Sequence, residues 1–100
     1  MKVLLLCAGG MSTSMVMKKL RTYAQQNGIE DFSVDATAVS SFYDVAQDYD
    51  VVLLGPQVSY KRDELAEQVP GKPVGVIAPQ DYAIANCEHI FKQINELASA

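Results

Sequence analysis

Positive charge is scarce in this sequence. Eight lysines and arginines stand against twelve aspartates and glutamates, a net charge of −4, with a pI near 4.7. A nucleic-acid surface needs a clustered basic face, and an anionic membrane surface needs a polybasic segment, so the composition argues against both partners. Long apolar runs are missing as well: nothing approaches the ~18 residues of a membrane span, which excludes direct membrane insertion. The opening Val3-Leu4-Leu5-Leu6 follows a single charge, Lys2, and is broken by Gly9 and Gly10, so it reads as a strand rather than a signal peptide. Cysteine is confined to Cys7 and Cys87, far apart and without an export signal, which fits a reducing cytoplasm. There is one histidine, His89. What remains is an ordinary globular composition, 49% hydrophobic over 100 residues. That is enough for one domain, residues 1–100, burying roughly 60–70% of its unfolded surface.

The most informative stretch is Val3-Leu4-Leu5-Leu6-Cys7-Ala8-Gly9-Gly10-Met11-Ser12-Thr13-Ser14. Four apolar residues in a row read as a fully buried strand, the glycine pair as a tight turn, and the hydroxyl cluster as the start of a helix. Such a strand, loop and helix start gather backbone N–H groups at the positive end of a helix, a cradle for an oxyanion. Gly9 and Gly10 supply the positive φ angles that curling those N–H groups inward often requires. Cys7 stands at the lip. A thiol in that field should ionise readily, so Cys7 reads as a nucleophile and not merely as a small buried hydrophobe.

Further along, Val16, Leu20, Tyr23, Ala24 and Asn27 share one face of a helix that Gly28 stops. The alternation from Phe32 to Val39 marks a half-exposed edge strand. Ser40 and Ser41 are suited to cap a short helix reaching about Asp48, with Phe42, Val45, Ala46 and Tyr49 inward. Val51-Val52-Leu53-Leu54 is a second solid apolar run and therefore a central strand. A third helix is expected from about Tyr60 to Val69, a last strand over Val74–Ala78, and a final helix capped by Asp81 with Ile84, Cys87, Phe91, Ile94 and Leu97 on one stripe. The alternation βαβαβαβα implies a parallel four-stranded sheet, order 2-1-3-4, with helices on both faces. Ligands of such sheets bind beyond the carboxyl ends of the strands. Three loops begin there: Cys7 to Ser14, Gly55 to Ser59 and Pro79 to Tyr82.

Other chemistry-bearing residues read more plainly. Cys87 falls mid-helix on the apolar stripe and reads as core. His89 lies about 160° around that helix from Phe91 at roughly 100° per residue, on the solvated face. Lys61 and Arg62 read as a solvated face, with a second reading in which they bring positive charge to the pocket or to a partner. Gln57, Tyr60 and Tyr82 are candidates for flanking contacts, with core-edge packing the alternative for the tyrosines. The loop lacks the lysine of a nucleotide-binding P-loop, which removes support for ATP hydrolysis. No metal or other cofactor is called for.

The pattern Cys7-x5-Thr13-Ser14 looks like a variant of the low-molecular-weight tyrosine phosphatase loop, C-x5-R-[ST], with Thr13 in place of the arginine that clamps phosphate. A closer resemblance is to the enzyme IIB component of the bacterial phosphoenolpyruvate-dependent sugar phosphotransferase system, lactose/cellobiose/chitobiose type. It covers the whole chain and rests on Val3 to Ser14, on Leu54-Gly55-Pro56-Gln57-Val58 and on Tyr82-Ala83. The resemblance implies the phosphatase-like fold and a phosphocysteine at Cys7, cradled by Ala8, Gly9, Gly10, Met11, Ser12, Thr13 and Ser14. It implies a phosphohistidine IIA protein as donor and a sugar held by the membrane IIC permease as acceptor, which would bring a cytoplasmic protein to the inner face of the membrane. The sugar itself stays open among lactose, cellobiose and chitobiose. Two rivals stand beside this reading: a cysteine phosphatase or thiol reductase on the same fold, and a silent anion-binding module.

Overall fold

The computed structural model describes residues 1–7 and 11–99, and side chains outside 11–13. Four parallel strands, β1 (Lys2–Cys7), β2 (Ser33–Ala38), β3 (Val51–Leu54) and β4 (Val74–Val76), lie in the order β2-β1-β3-β4. The two solid apolar runs are central and the alternating one is at an edge, as the covering of their faces demands. Five α-helices join them among the described residues: α1 (Met11–Gln26), α2 (Phe42–Val45), α3 (Arg62–Gln68), α4 (Pro79–Ala83) and α5 (Cys87–Ser99).

Because side chains alternate along a strand, the sheet divides the interior in two. Val3 and Leu5 of β1, with Val51 and Leu53 of β3, pack under α1 and α5 against Leu20, Ile90 and Ile94. Leu4 and Leu6, with Val52 and Leu54, pack under α2 and α3 against Phe42, Val58 and Leu65. α1 ends in a paired-bond cap: Ile29 N–H donates to Ala24 O (2.8 Å) and Gly28 N–H to Gln25 O (3.4 Å), with Gly28 at φ +67°, the left-handed position that glycine fills cheaply.

Several expectations are corrected. Asn27 is exposed rather than inward, its Nδ2 donating to Tyr23 O at 2.8 Å. β2 stops at Ala38, and Val39 to Asp48 is a 3-10 turn, the single α-turn α2 and a second 3-10 turn. Neither Ser40 nor Ser41 caps through its side chain. The segment before α3 is a 3-10 helix, Pro56–Lys61, begun by a proline whose missing N–H costs nothing at that position, so α3 proper starts at Arg62.

The end of the chain differs most. β4 closes at Val76, although Ile77 N–H continues the ladder to Leu54 O at 2.9 Å. Instead of one final helix capped by Asp81 there are two, because Ala85 turns the chain at φ +48°. The cap of α5 is Asn86, whose Oδ1 accepts from His89 N–H at 3.2 Å. Cys87 is therefore the first residue of α5 rather than a mid-helix one, and Ile84 lies off the stripe, 66% exposed. Ile90 takes a place on the buried face.

Candidate active site

The carboxyl ends of β1 and β3 are locked together where the loops begin. Gly55 N–H donates to Leu6 O at 3.0 Å, and Val58 N–H returns to Gly55 O at 3.1 Å. Leu6 is the residue before Cys7, so the segment after β3 is registered against the residue that introduces the thiol. Gly55 has an extended φ of −66°; closeness, not strain, calls for glycine there. A Cβ would stand 3.0 Å from Gln57 Oε1 and 3.5 Å from both Leu6 O and Tyr82 Cε2.

Cys7 closes β1 beside Ala38 of β2 and is 6% exposed. Its Sγ points toward Thr37 O at 3.9 Å. Neither cysteine is in a disulfide. Cys7 is among the residues lining a cleft of about 460 Å³ between the ends of β2 and β3, whose walls include Ser40, Tyr43, Tyr60, Lys61, Glu64 and Gln68. Both tyrosines stand out into solvent, Tyr43 63% and Tyr60 78% exposed. α1, a 16-residue helix, begins four residues after Cys7 with no acidic residue in its first turn to oppose the positive end of its dipole.

The expected site residues are distributed as follows. Ala8, Gly9 and Gly10 lie outside the described residues. Met11, Ser12, Thr13 and Ser14 form the first turn of α1 in backbone; the side chains of the first three also lie outside, and Ser14 is exposed. Tyr60 lines the Cys7 cleft. Tyr82 is buried against Gly55 in the α1/α5 core, and Gln57 folds back over the same glycine. Tyr43, Ser40, Glu64 and Gln68 were not anticipated; only the outward position of Tyr43 beside an inward Phe42 hinted at them.

Cys87 lies elsewhere, in an apolar groove of about 740 Å³ beside Met15, Lys18, Lys19 and Tyr23. Burial pushes its thiol above the usual range, against opposing contributions from Lys19 and its own backbone N–H. His89 is exposed but not merely solvated: Nδ1 lies 3.0 Å from Asp81 Oδ1. Among the described residues no cluster of three His, Cys, Asp or Glu side chains suits a metal ion, and no helix is long and apolar enough to cross a membrane.

Comparison with known proteins places this architecture. Residues 2–93 match the family described as PTS system, Lactose/Cellobiose specific IIB subunit. The chain is 31% identical to the galactose-specific EIIB component of Lactococcus lactis subsp. cremoris, covering 95% of this chain and 94% of that one. It is 33% identical to the oligo-beta-mannoside-specific EIIB component of Bacillus subtilis, covering 92% and 90%. The solution structure of the cellobiose-specific phosphotransferase IIB component from Borrelia burgdorferi superposes with a TM-score of 0.82 at 31% identity, over 99% of this chain and 92% of that one. The lactose-specific IIB domain of Streptococcus pneumoniae shares the fold at a TM-score of 0.78 and 22% identity, over 92% and 95%. The chain thus belongs to the lactose/cellobiose-specific IIB family of the sugar phosphotransferase system, and is a phosphoryl carrier and phosphotransferase of that system.

Proposed function

We propose that Cys7 is the residue that carries the phosphoryl group and that residues 1–100 act as one IIB domain. The observation that carries this reading is the place of Cys7: the last residue of a central strand, lining a cleft, four residues before a helix begins. In the first step Cys7 Sγ attacks the phosphorus of a phosphohistidine on a IIA donor. The P–N bond breaks as the S–P bond forms, and the departing imidazole takes up the thiol proton. In the second, a hydroxyl of the sugar held by a IIC permease attacks the same phosphorus. The S–P bond breaks, the sulfur leaves with the bonding pair, and the hydroxyl proton is released to the thiolate or to water. A sulfur nucleophile that is also a good leaving group suits traffic in both directions.

The N–H groups from Ala8 to Ser14 hold the phosphoryl group, about −2 in charge near neutral pH, without an arginine at Thr13 that would favour hydrolysis. Tyr60, which lines the Cys7 cleft, makes a flanking contact, while Gln57 and Tyr82 act from behind it by packing around Gly55. The sugar is a β-linked disaccharide of the kind named for the family, and the protein works in the cytoplasm against the inner face of the membrane. The decisive experiment is incubation with a phosphorylated IIA-type donor, followed by peptide mapping. Label on the peptide that contains Cys7, lost in Cys7→Ser, supports the assignment; label on His89 or on any other residue overturns it.

A further inference from the structure

Three cations are engaged in holding the described protein together. Arg21 donates to Val34 O at 2.8 Å, Arg62 donates to Val74 O at 3.2 Å and pairs with Asp63, and Lys72 donates to Tyr49 O. Lys61 differs from these. It lines the Cys7 cleft, its ammonium lies 5.9 Å from the centre of the Tyr60 ring, and among the described residues no carboxylate oxygen comes within 4.0 Å of it. It is half-buried at the end of the 3-10 segment that Gly55 anchors to Leu6. The backbone that carries Lys61 is thus tied, through Gly55, to the residue before Cys7. Among the residues lining this cleft Lys61 is the one cation and Glu64 the one carboxylate.

We propose that Lys61 is an electrostatic positioning residue: it draws the anionic group that reacts at Cys7 into the cleft, and Glu64 opposes it. The identity of that anion as a phosphoryl group rests on the preceding reading; the charge effect does not. The arrangement has a plain physical motive. A dianion approaching a protein of net charge −4 meets repulsion at long range, and one cation at the mouth of a partly desolvated cleft outweighs distant charges that salt screens.

The test is the alkylation of Cys7 by iodoacetate, an anion, and by iodoacetamide, its neutral analogue, read by peptide mapping so that Cys87 does not contribute. The ratio of the two rates cancels changes in access or nucleophilicity, which a merely structural role would alter for both reagents. Lys61→Met should lower the ratio about threefold to tenfold at low salt, and the difference should vanish near 1 M salt, where the screening length is about 3 Å. Lys61→Arg should restore the ratio and Glu64→Gln should raise it. Lys92→Met removes the same charge from the groove between α1 and α5 and should change nothing. A parallel titration with inorganic phosphate, followed through the amide signals of Val39, Ser40 and Val58, should weaken by the same factor in Lys61→Met. A ratio indifferent to Lys61→Met, an equal fall in Lys92→Met, or a wild-type cleft blind to phosphate would each overturn the proposal. Donor label landing away from Cys7 would sink the carrier reading alone, so the two fail separately.

Discussion

Tyr49 shows how one side chain records its surroundings. Its hydroxyl donates to Asp35 Oδ2 at 2.9 Å. Desolvation, then that hydrogen bond, then the charges of Asp35 and Asp48 raise its pKa above the ordinary tyrosine value. A group whose folded pKa is raised contributes stability that is fully present below the unfolded value, near 10, and is lost as pH rises through the folded one. Urea denaturation of the wild type should therefore show a decline above about pH 10 that Tyr49→Phe flattens. An identical alkaline limb in the variant would contradict the assignment. Cys87 offers a second residue-scale check. Lys19 opposes the burial that raises its thiol, so Lys19→Met should slow alkylation of Cys87 near neutral pH, as followed by peptide mapping.

At the scale of elements, two helix endings solve one geometric problem differently. α1 ends on Gly28 and α4 on Ala85, both at positive φ. At α4, Asn86 N–H donates to Asp81 O and Ala85 N–H to Tyr82 O, at 2.8 and 3.2 Å, the same paired pattern as at Gly28. A Cβ on Gly28 would meet nothing within 4 Å, so Gly28→Ala incurs the left-handed strain without compensation, about 1–2 kcal/mol. The methyl of Ala85 is buried in the α1/α5 core, so Ala85→Gly trades relief of strain for lost packing and should stay within about 1 kcal/mol of wild type. Asn86→Ala should cost about 1 kcal/mol through loss of the α5 cap. Thermal denaturation of the three variants gives the ordering directly. The first ending was legible, since glycine announces its backbone. The second was not, because an alanine held in a left-handed turn by its own burial carries no local signature, and Asp81 is chemically as good a cap as Asn86.

Across the whole molecule, strand order was legible because solid and alternating apolar runs report how many faces of a strand are covered. Tyr60 was a candidate neighbour of Cys7, with core-edge packing as the alternative, because it follows the loop at one strand end and Cys7 closes another. The opposite wall of the cleft was not anticipated, since Tyr43 and Glu64 come to line one cleft only through the placing of β1 between β2 and β3, a nonlocal arrangement that no window of sequence displays. The two cores on either side of the sheet give a further test. Leu20 lies in one and Leu65 in the other. Each truncation to alanine should cost about 2–5 kcal/mol, and with no shared neighbours the double variant should match the sum to within about 0.5 kcal/mol. A large coupling energy in chemical denaturation would mean that the sheet transmits packing defects from face to face.

That partition has a practical corollary. The cleft beside the thiol is walled by the α2/α3 layer, whereas the α1/α5 layer supplies much of the buried bulk. Repacking the far end of the α1/α5 layer, away from the first turn of α1, is thus a route to greater heat resistance that leaves the cleft walls untouched, with the strands serving as a bulkhead between the two.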